Sequence, residues 1–174
     1  MTPVETTWEQ APPQRWATVA AWATLVCALP SALWRMLMIA GVLPGTEAMR
    51  RLHDGEGAYV LGLSIVQVLV AVLVIGLVRP WGERFLGLRI DRRVPVVLGT
   101  LGGLAMTYLF TVAPVLGMLA GQRPDQGTIH GGALALMLLA YAPMALFGPL
   151  TLAAVVGYAQ RRGTPTARVA QRAT

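Results

Sequence analysis

Arg35 is the residue with the most chemistry to offer. It is the one charged side chain in an apolar run from Trp16 to Ala40. A guanidinium at membrane depth is costly, so by default it lines an interior or a wet cavity and has a partner. It also lies only about five residues, or about 7 Å of helical rise, from one end of its run, from where its stem can lift the charged head to the headgroups. If it points inward, Glu47, Asp54, Glu56 or Asp125 could neutralise it, or an anionic ligand could. His53 and His130 make a second constellation, each in a short polar segment with carboxylates nearby. Brought together, they could form a carboxylate-assisted metal site or a proton relay. Their spacing fits no HExxH-type motif, and loop histidines are ordinarily solvated, so no metal ligand and no cofactor is assigned.

Positioning these residues falls to long apolar stretches. Of the 174 residues, 55% are hydrophobic and 13% charged, and the mean hydropathy is +0.59. Soluble domains carry about a quarter charged residues, so a soluble globular domain is excluded. Four runs are long enough to cross about 30 Å of hydrocarbon as helices: about 16–40, 58–78, 94–120 and 132–159. The expected fold is therefore all-α, a single four-helix transmembrane bundle over 1–174, with flexible tails at 1–15 and 163–174. The first run is too long for a signal-peptide core and follows an acidic stretch with Glu5 and Glu9, so it reads as a retained helix.

All 14 basic residues are arginine, and the net charge is +6. Ten of them (Arg15, Arg79, Arg84, Arg89, Arg92, Arg93, Arg161, Arg162, Arg168 and Arg172) fall on one side of the four runs. Arg50, Arg51 and Arg123 fall on the other. The positive-inside rule then puts both termini and the central loop in the cytoplasm, which implies a multi-pass protein of the cell membrane. Trp8, Trp16, Trp34, Trp81, Tyr59 and Tyr158 lie near the ends of the runs, where an amphipathic ring sits among headgroups.

In the central loop Arg79, Arg84, Arg89, Arg92 and Arg93 alternate with Trp81, Phe85 and Leu88. This pattern suits guanidinium contacts to anionic lipid headgroups and leaves no nucleic-acid role, because the membrane is the closer source of phosphate. Around Trp81-Gly82-Glu83-Arg84 the chain resembles small uncharacterised four-span membrane proteins of high-GC Gram-positive bacteria. That resemblance implies location and topology, and no activity.

Helices in lipid meet through small residues and hydrogen bonds. Ala17, Ala20, Thr24, Cys27, Ser31 and Arg35 recur at spacings of three and four on the first span, as Ser64, Gln67 and Ala71 do on the second. The third offers Thr100, Gly103, Thr107, Thr111 and Pro114, with a GxxxG at Gly99 and Gly103 that could join two copies of the chain. The fourth offers Ala135, Ala142, Ala145, Pro149, Ala153 and Gly157. Ser64, Gln67, Thr107 and Thr111 are expected to hydrogen-bond between helices. Pro30, Pro114, Pro143 and Pro149 should kink their helices or free carbonyls for neighbours, and Pro143 with Pro149 could bracket a hinge or a widened turn. Between the first two spans, Thr46 is placed as the cap of a short surface helix.

With no acidic residue inside a span, a proton-coupled antiporter is disfavoured. No Walker sequence or catalytic triad is recognisable. The reading is a non-catalytic accessory or partner-binding membrane component. Its alternative is a small transporter or channel for an anionic or amphipathic solute, with Arg35 at the outer mouth.

Overall fold

The computed structural model describes residues 12–79, 84–85, 88–89, 91, 93–122 and 127–163. Trp8, Trp81, Arg92, Arg123 and Asp125, and most of both tails, lie outside the described residues. The chain runs as α1 (Arg15–Ile39), α2 (Glu47–Leu52), α3 (Gly57–Gly76), β1 (Arg84–Phe85), β2 (Leu88–Arg89) and α4 (Arg93–Thr107). A π-helical turn (Tyr108–Val112) then leads into α5 (Ala113–Leu119), and α6 (Gly131–Tyr141) continues through a 3₁₀ segment (Ala142–Leu146) into α7 (Phe147–Gly163). The fold is helical apart from a two-residue antiparallel ladder that pairs Arg84 with Arg89 and Phe85 with Leu88.

Four helices are long and apolar enough to cross a membrane: Arg15–Ile39, Gly57–Gly76, Arg93–Leu119 and Gly131–Arg161. Their outward faces carry Val19, Val26, Leu33, Leu69, Leu101 and Leu139, all exposed.

Small residues decide which faces meet. Ala17, Ala20, Thr24, Cys27 and Ser31 on α1 are buried, and so are Ser64, Gln67 and Ala71 on α3. Three apolar layers follow along the axis. Ala17, Ala21, Val74, Ile75, Val78 and Ala154 form the first, at the terminal end. Ala28, Ala71, Met144 and Phe147 form the second. Trp34, Met38, Ile129 and Met137 form the third, at the α2 end.

The bundle is not closed all round. α1 packs on α3 and α7, and α7 packs on α4, while α3 and the third span form no packed interface. Within its most apolar stretch the third span is only 6% buried, against 44% for the first. Of its small-residue stripe only Gly103 is buried. Gly99 and Gly103 face Val155 and Leu152 of α7. The GxxxG is therefore spent inside one chain, which removes the face on which joining two copies was read.

The fourth span also departs from its expected stripe. Ala135, Ala142 and Pro149 are exposed, and the buried face is Met137, Met144, Phe147, Gly148, Thr151, Ala154, Val155, Gly157 and Tyr158. Proline explains the irregular turns, though not where they were expected. The widened turn lies in the third span, just before Pro114, whose missing N–H leaves the Phe110 carbonyl without its helical donor. Around Pro143 the fourth span tightens into 3₁₀ instead of widening.

Pro149 likewise strips the Ala145 carbonyl of its donor, and Thr111 Oγ1 of the third span donates to that oxygen at 2.7 Å. Thr111→Val should cost about 1–2 kcal/mol by leaving this carbonyl unpaired. The cost should shrink towards zero in a Pro149→Ala background, where the residue-149 N–H can serve it. A cost that is the same in both backgrounds, by thermal unfolding in mild detergent, would show that the carbonyl is served otherwise. Ser64 and Thr107 do not bridge helices as expected: their hydroxyls donate to Val60 O at 3.0 Å and Gly103 O at 2.8 Å within their own helices. That satisfies the hydroxyl locally and leaves no proton for a neighbour.

Candidate functional site

Arg35 continues the buried stripe of α1, so the helix period turns it toward α3 and away from lipid. It sits about 6 Å of rise below the end of α1 at Ile39. There one Nη2–H donates to Gln67 Oε1 on α3. The other end of the same amide is also used. Gln67 Nε2 donates to the Ala28 carbonyl at 2.9 Å and Ser31 Oγ at 2.8 Å, and lies 3.2 Å from Met144 Sδ. Ser31 Oγ donates in turn to Ala28 O at 3.1 Å. Gln67 thus ties three spans together and orients a cation.

No carboxylate among the described residues pairs with Arg35. Glu47, expected as a partner, turns to its own turn. Its own N–H and that of Gly45, 3.2 Å from Oε1, hold its carboxyl below the usual range. Thr46 stands at the N-cap of α2 as expected, but its side chain makes no capping bond, and its hydroxyl donates backwards to Leu43 O at 2.8 Å. Asp54 is exposed, and so is Glu56, which nevertheless lines the cavity described next.

Above the Arg35–Gln67 pair, toward α2, a partly open cavity of about 650 Å³ lies between α1, α3, the third span and α6. That volume falls within the range of small-molecule sites, about 300–1,000 Å³. Its walls are mainly apolar, with Val60 and Leu63 on one side and Phe110, Val115 and Met118 on the other. Arg35 is the lining cation within the spans, and Trp34, His53, Glu56, Tyr59, Thr111 and Tyr141 supply the other polar groups. His53 Nδ1 is 2.9 Å from the Met49 carbonyl, so Nδ1–H donates to it.

Two donors in this lining have no acceptor. Arg35 Nε and Trp34 Nε1 are both buried without a hydrogen-bond partner. A buried N–H left in that condition costs about 1–3 kcal/mol. Trp34 was expected among headgroups. It is instead 5% exposed, packed edge-on against Tyr141 at 5.7 Å between ring centroids. Its signal in the sequence was position, three residues after Ser31 and four before Met38 on the buried face. Tyr158 is buried too, with Arg161 5.7 Å from its ring centroid. Trp16 and Tyr59 are exposed.

No protein-family model, curated protein or solved structure matches this chain. The functional reading therefore rests on the site itself.

His130 is exposed at the start of α6 and does not line the cavity that His53 lines. Among the described residues no three His, Cys, Asp or Glu side chains gather to hold a metal. Of the arginines expected to meet headgroups, Arg79 is exposed and lies 5.9 Å from the Trp22 ring centroid, and Arg93 is exposed at the start of α4. At Arg84 and Arg89 the backbone ladder is what is described.

The electrostatics of the cavity follow from its parts. The guanidinium is paired with a neutral amide and apolar walls lower the local dielectric, so an anion beside it is held more strongly than in water, while the carboxylate of exposed Glu56 in the same lining opposes that pull. Tyr141 and Trp34 add hydrogen-bonding edges to an otherwise greasy space, as an amphipathic ligand needs.

Proposed function

We propose that this chain is a multi-pass protein of the bacterial cytoplasmic membrane, with both termini and the arginine-rich central loop inside. In this reading it binds an anionic or amphipathic solute in the α2-end cavity and carries it without chemical turnover. The observation that carries the reading is the neutral partner of Arg35: a span-embedded cation hydrogen-bonded to an amide faces a mainly apolar cavity of about 650 Å³, in whose lining the carboxylate of Glu56 belongs to an exposed residue and makes no ion pair with it. The sidedness is supported by the arginine count of the loops, ten against three. The central arginines would meet anionic headgroups on the inner face.

The test is binding of radiolabelled laurate to the full chain in nanodiscs of zwitterionic phosphatidylcholine. Arg35→Gln should weaken binding at least about tenfold, equivalent to about 1.4 kcal/mol, and leave uptake of dodecanol unchanged. Equal laurate binding by both proteins would overturn the reading.

A second reading, an accessory component, is favoured by the third span, which is apolar, 6% buried and packed on one side alone. A partner helix could lie along it. Stoichiometric co-purification of a membrane protein, lost when Leu101 and Leu104 are changed to bulky polar residues, supports that reading. Recovery of the chain alone, with laurate binding intact, leaves the carrier reading.

A further inference from the structure

We propose that Trp34 Nε1 and Arg35 Nε form a two-donor seat for the oxyanion head of a single-chain, membrane-borne amphiphile, whose tail lies between α3 and the third span. This rests on the reading of the cavity as an anion site and adds to it the second donor, the ligand class and the route.

Trp34 and Arg35 are consecutive residues lining one cavity, and each holds a buried N–H without an acceptor; both nitrogens are closed to solvent, so the head reaches them as the surrounding side chains shift. They differ in kind. Trp34 is 5% exposed and its indole N–H is a fixed neutral donor, held by the edge-on contact with Tyr141. Arg35 is fixed on its far side by Gln67, which leaves Nε for another acceptor. One cationic and one neutral donor match a head with at least two acceptor oxygens and one negative charge, a carboxylate or a phosphate monoester. A neutral hydroxyl or amide head would leave the charge of Arg35 unanswered.

The tail follows from the walls. Val60 and Leu63 of α3 face Phe110, Val115 and Met118 of the third span across the cavity. The two elements form no packed interface, and their outward side chains are apolar and exposed. A chain of methylenes thus has hydrocarbon-like surroundings from the seat to the bilayer. The π-helical turn at Tyr108–Val112 widens the helix at this wall, where Phe110 and Thr111 line the cavity. Since a head of this chemistry also exists on small water-soluble acids, chain length is what separates the two sources.

The experiment uses the full chain in phosphatidylcholine nanodiscs, with laurate, acetate and dodecanol as probes. Wild type should bind laurate saturably, acetate should not compete at equal concentration, and dodecanol should partition without saturation. Trp34→Phe keeps a ring against Tyr141 and should weaken laurate binding about five- to tenfold. Laurate should also change the part of the tryptophan emission that disappears in Trp34→Phe, a readout that does not depend on the stability of the variant. Unchanged affinity in Trp34→Phe, or no Trp34-dependent emission change at saturating laurate, overturns the two-donor seat while leaving Arg35 as the anion contact. Unchanged affinity in Arg35→Gln as well overturns the reading on which the seat rests. Competition by acetate as strong as by laurate overturns the membrane-borne source.

Discussion

Gln67→Leu should destabilise this protein by about 2–4 kcal/mol, since the hydrogen bond it removes is to a charged group and its loss leaves a desolvated cation alone. Leucine nearly matches glutamine in volume, so the loss is of bonding more than of packing. Neutral hydrogen bonds between spans average only about 0.6 kcal/mol, so the contacts to Ala28 O and Ser31 Oγ supply the smaller part. The larger part is Arg35, whose Nη2 loses its acceptor when its Nε already has none. The same logic makes the double variant Arg35→Met, Gln67→Leu more stable than Gln67→Leu alone, with a coupling of about 1–3 kcal/mol. Cys27, the one cysteine, is buried on α1 and reports unfolding directly. A fluorogenic thiol dye followed through a thermal ramp in mild detergent measures both effects. A Gln67→Leu curve within about 0.5 kcal/mol of wild type, the range of an indifferent surface change, would mean that solvent, and not Gln67, satisfies Arg35.

The interior position of Arg35 was legible because α1 is regular. A period of 3.6 residues carried from Ala17 through Ser31 brings Arg35 to the face that meets α3, and in the structure it is half-buried there against Gln67. Its partner was not legible. Coulomb's law favours a search for carboxylates, but the residue that meets Arg35 is fixed by the register of α3 on α1, a packing result that no local pattern carries. The stripe of the fourth span failed for a different reason. The buried face recurs every seven residues through Met137, Met144, Thr151 and Tyr158, so it is carried largely by bulky side chains, whereas a search for small residues follows Ala135, Ala142 and Pro149 along an exposed face. The cavity was invisible too, because it exists where α3 and the third span do not pack, and patterns of small residues mark contacts rather than gaps.

Gly148→Leu should be the most damaging single substitution in the helix bundle, and even Gly148→Ala should cost about 3 kcal/mol, the upper end of overpacking. A Cβ at Gly148 would fall on Thr107 Oγ1 and the Thr107 backbone nitrogen, and within 2.7 Å of the Gly103 carbonyl oxygen. Two of those obstacles are main-chain atoms of α4, so relief requires the whole helix to retreat from α7. α7 is the principal neighbour of the third span, and retreat would strip that span of its main packing. Gly103→Ala should cost less, because its added carbon meets chiefly Leu152 Cδ2 at 2.7 Å and Cγ at 2.8 Å, the end of a side chain that can rotate. Gly102→Ala should have the opposite sign. Nothing lies within 4 Å of its added carbon, so the substitution contributes about 0.8–1.0 kcal/mol of helix propensity. The thiol-dye ramp should therefore order the proteins as Gly102→Ala, wild type, Gly103→Ala and Gly148→Ala, from most to least stable. Finding Gly148→Ala as stable as Gly102→Ala would mean that α4 and α7 do not approach closely, and the one-sided support of the third span would have to be sought elsewhere.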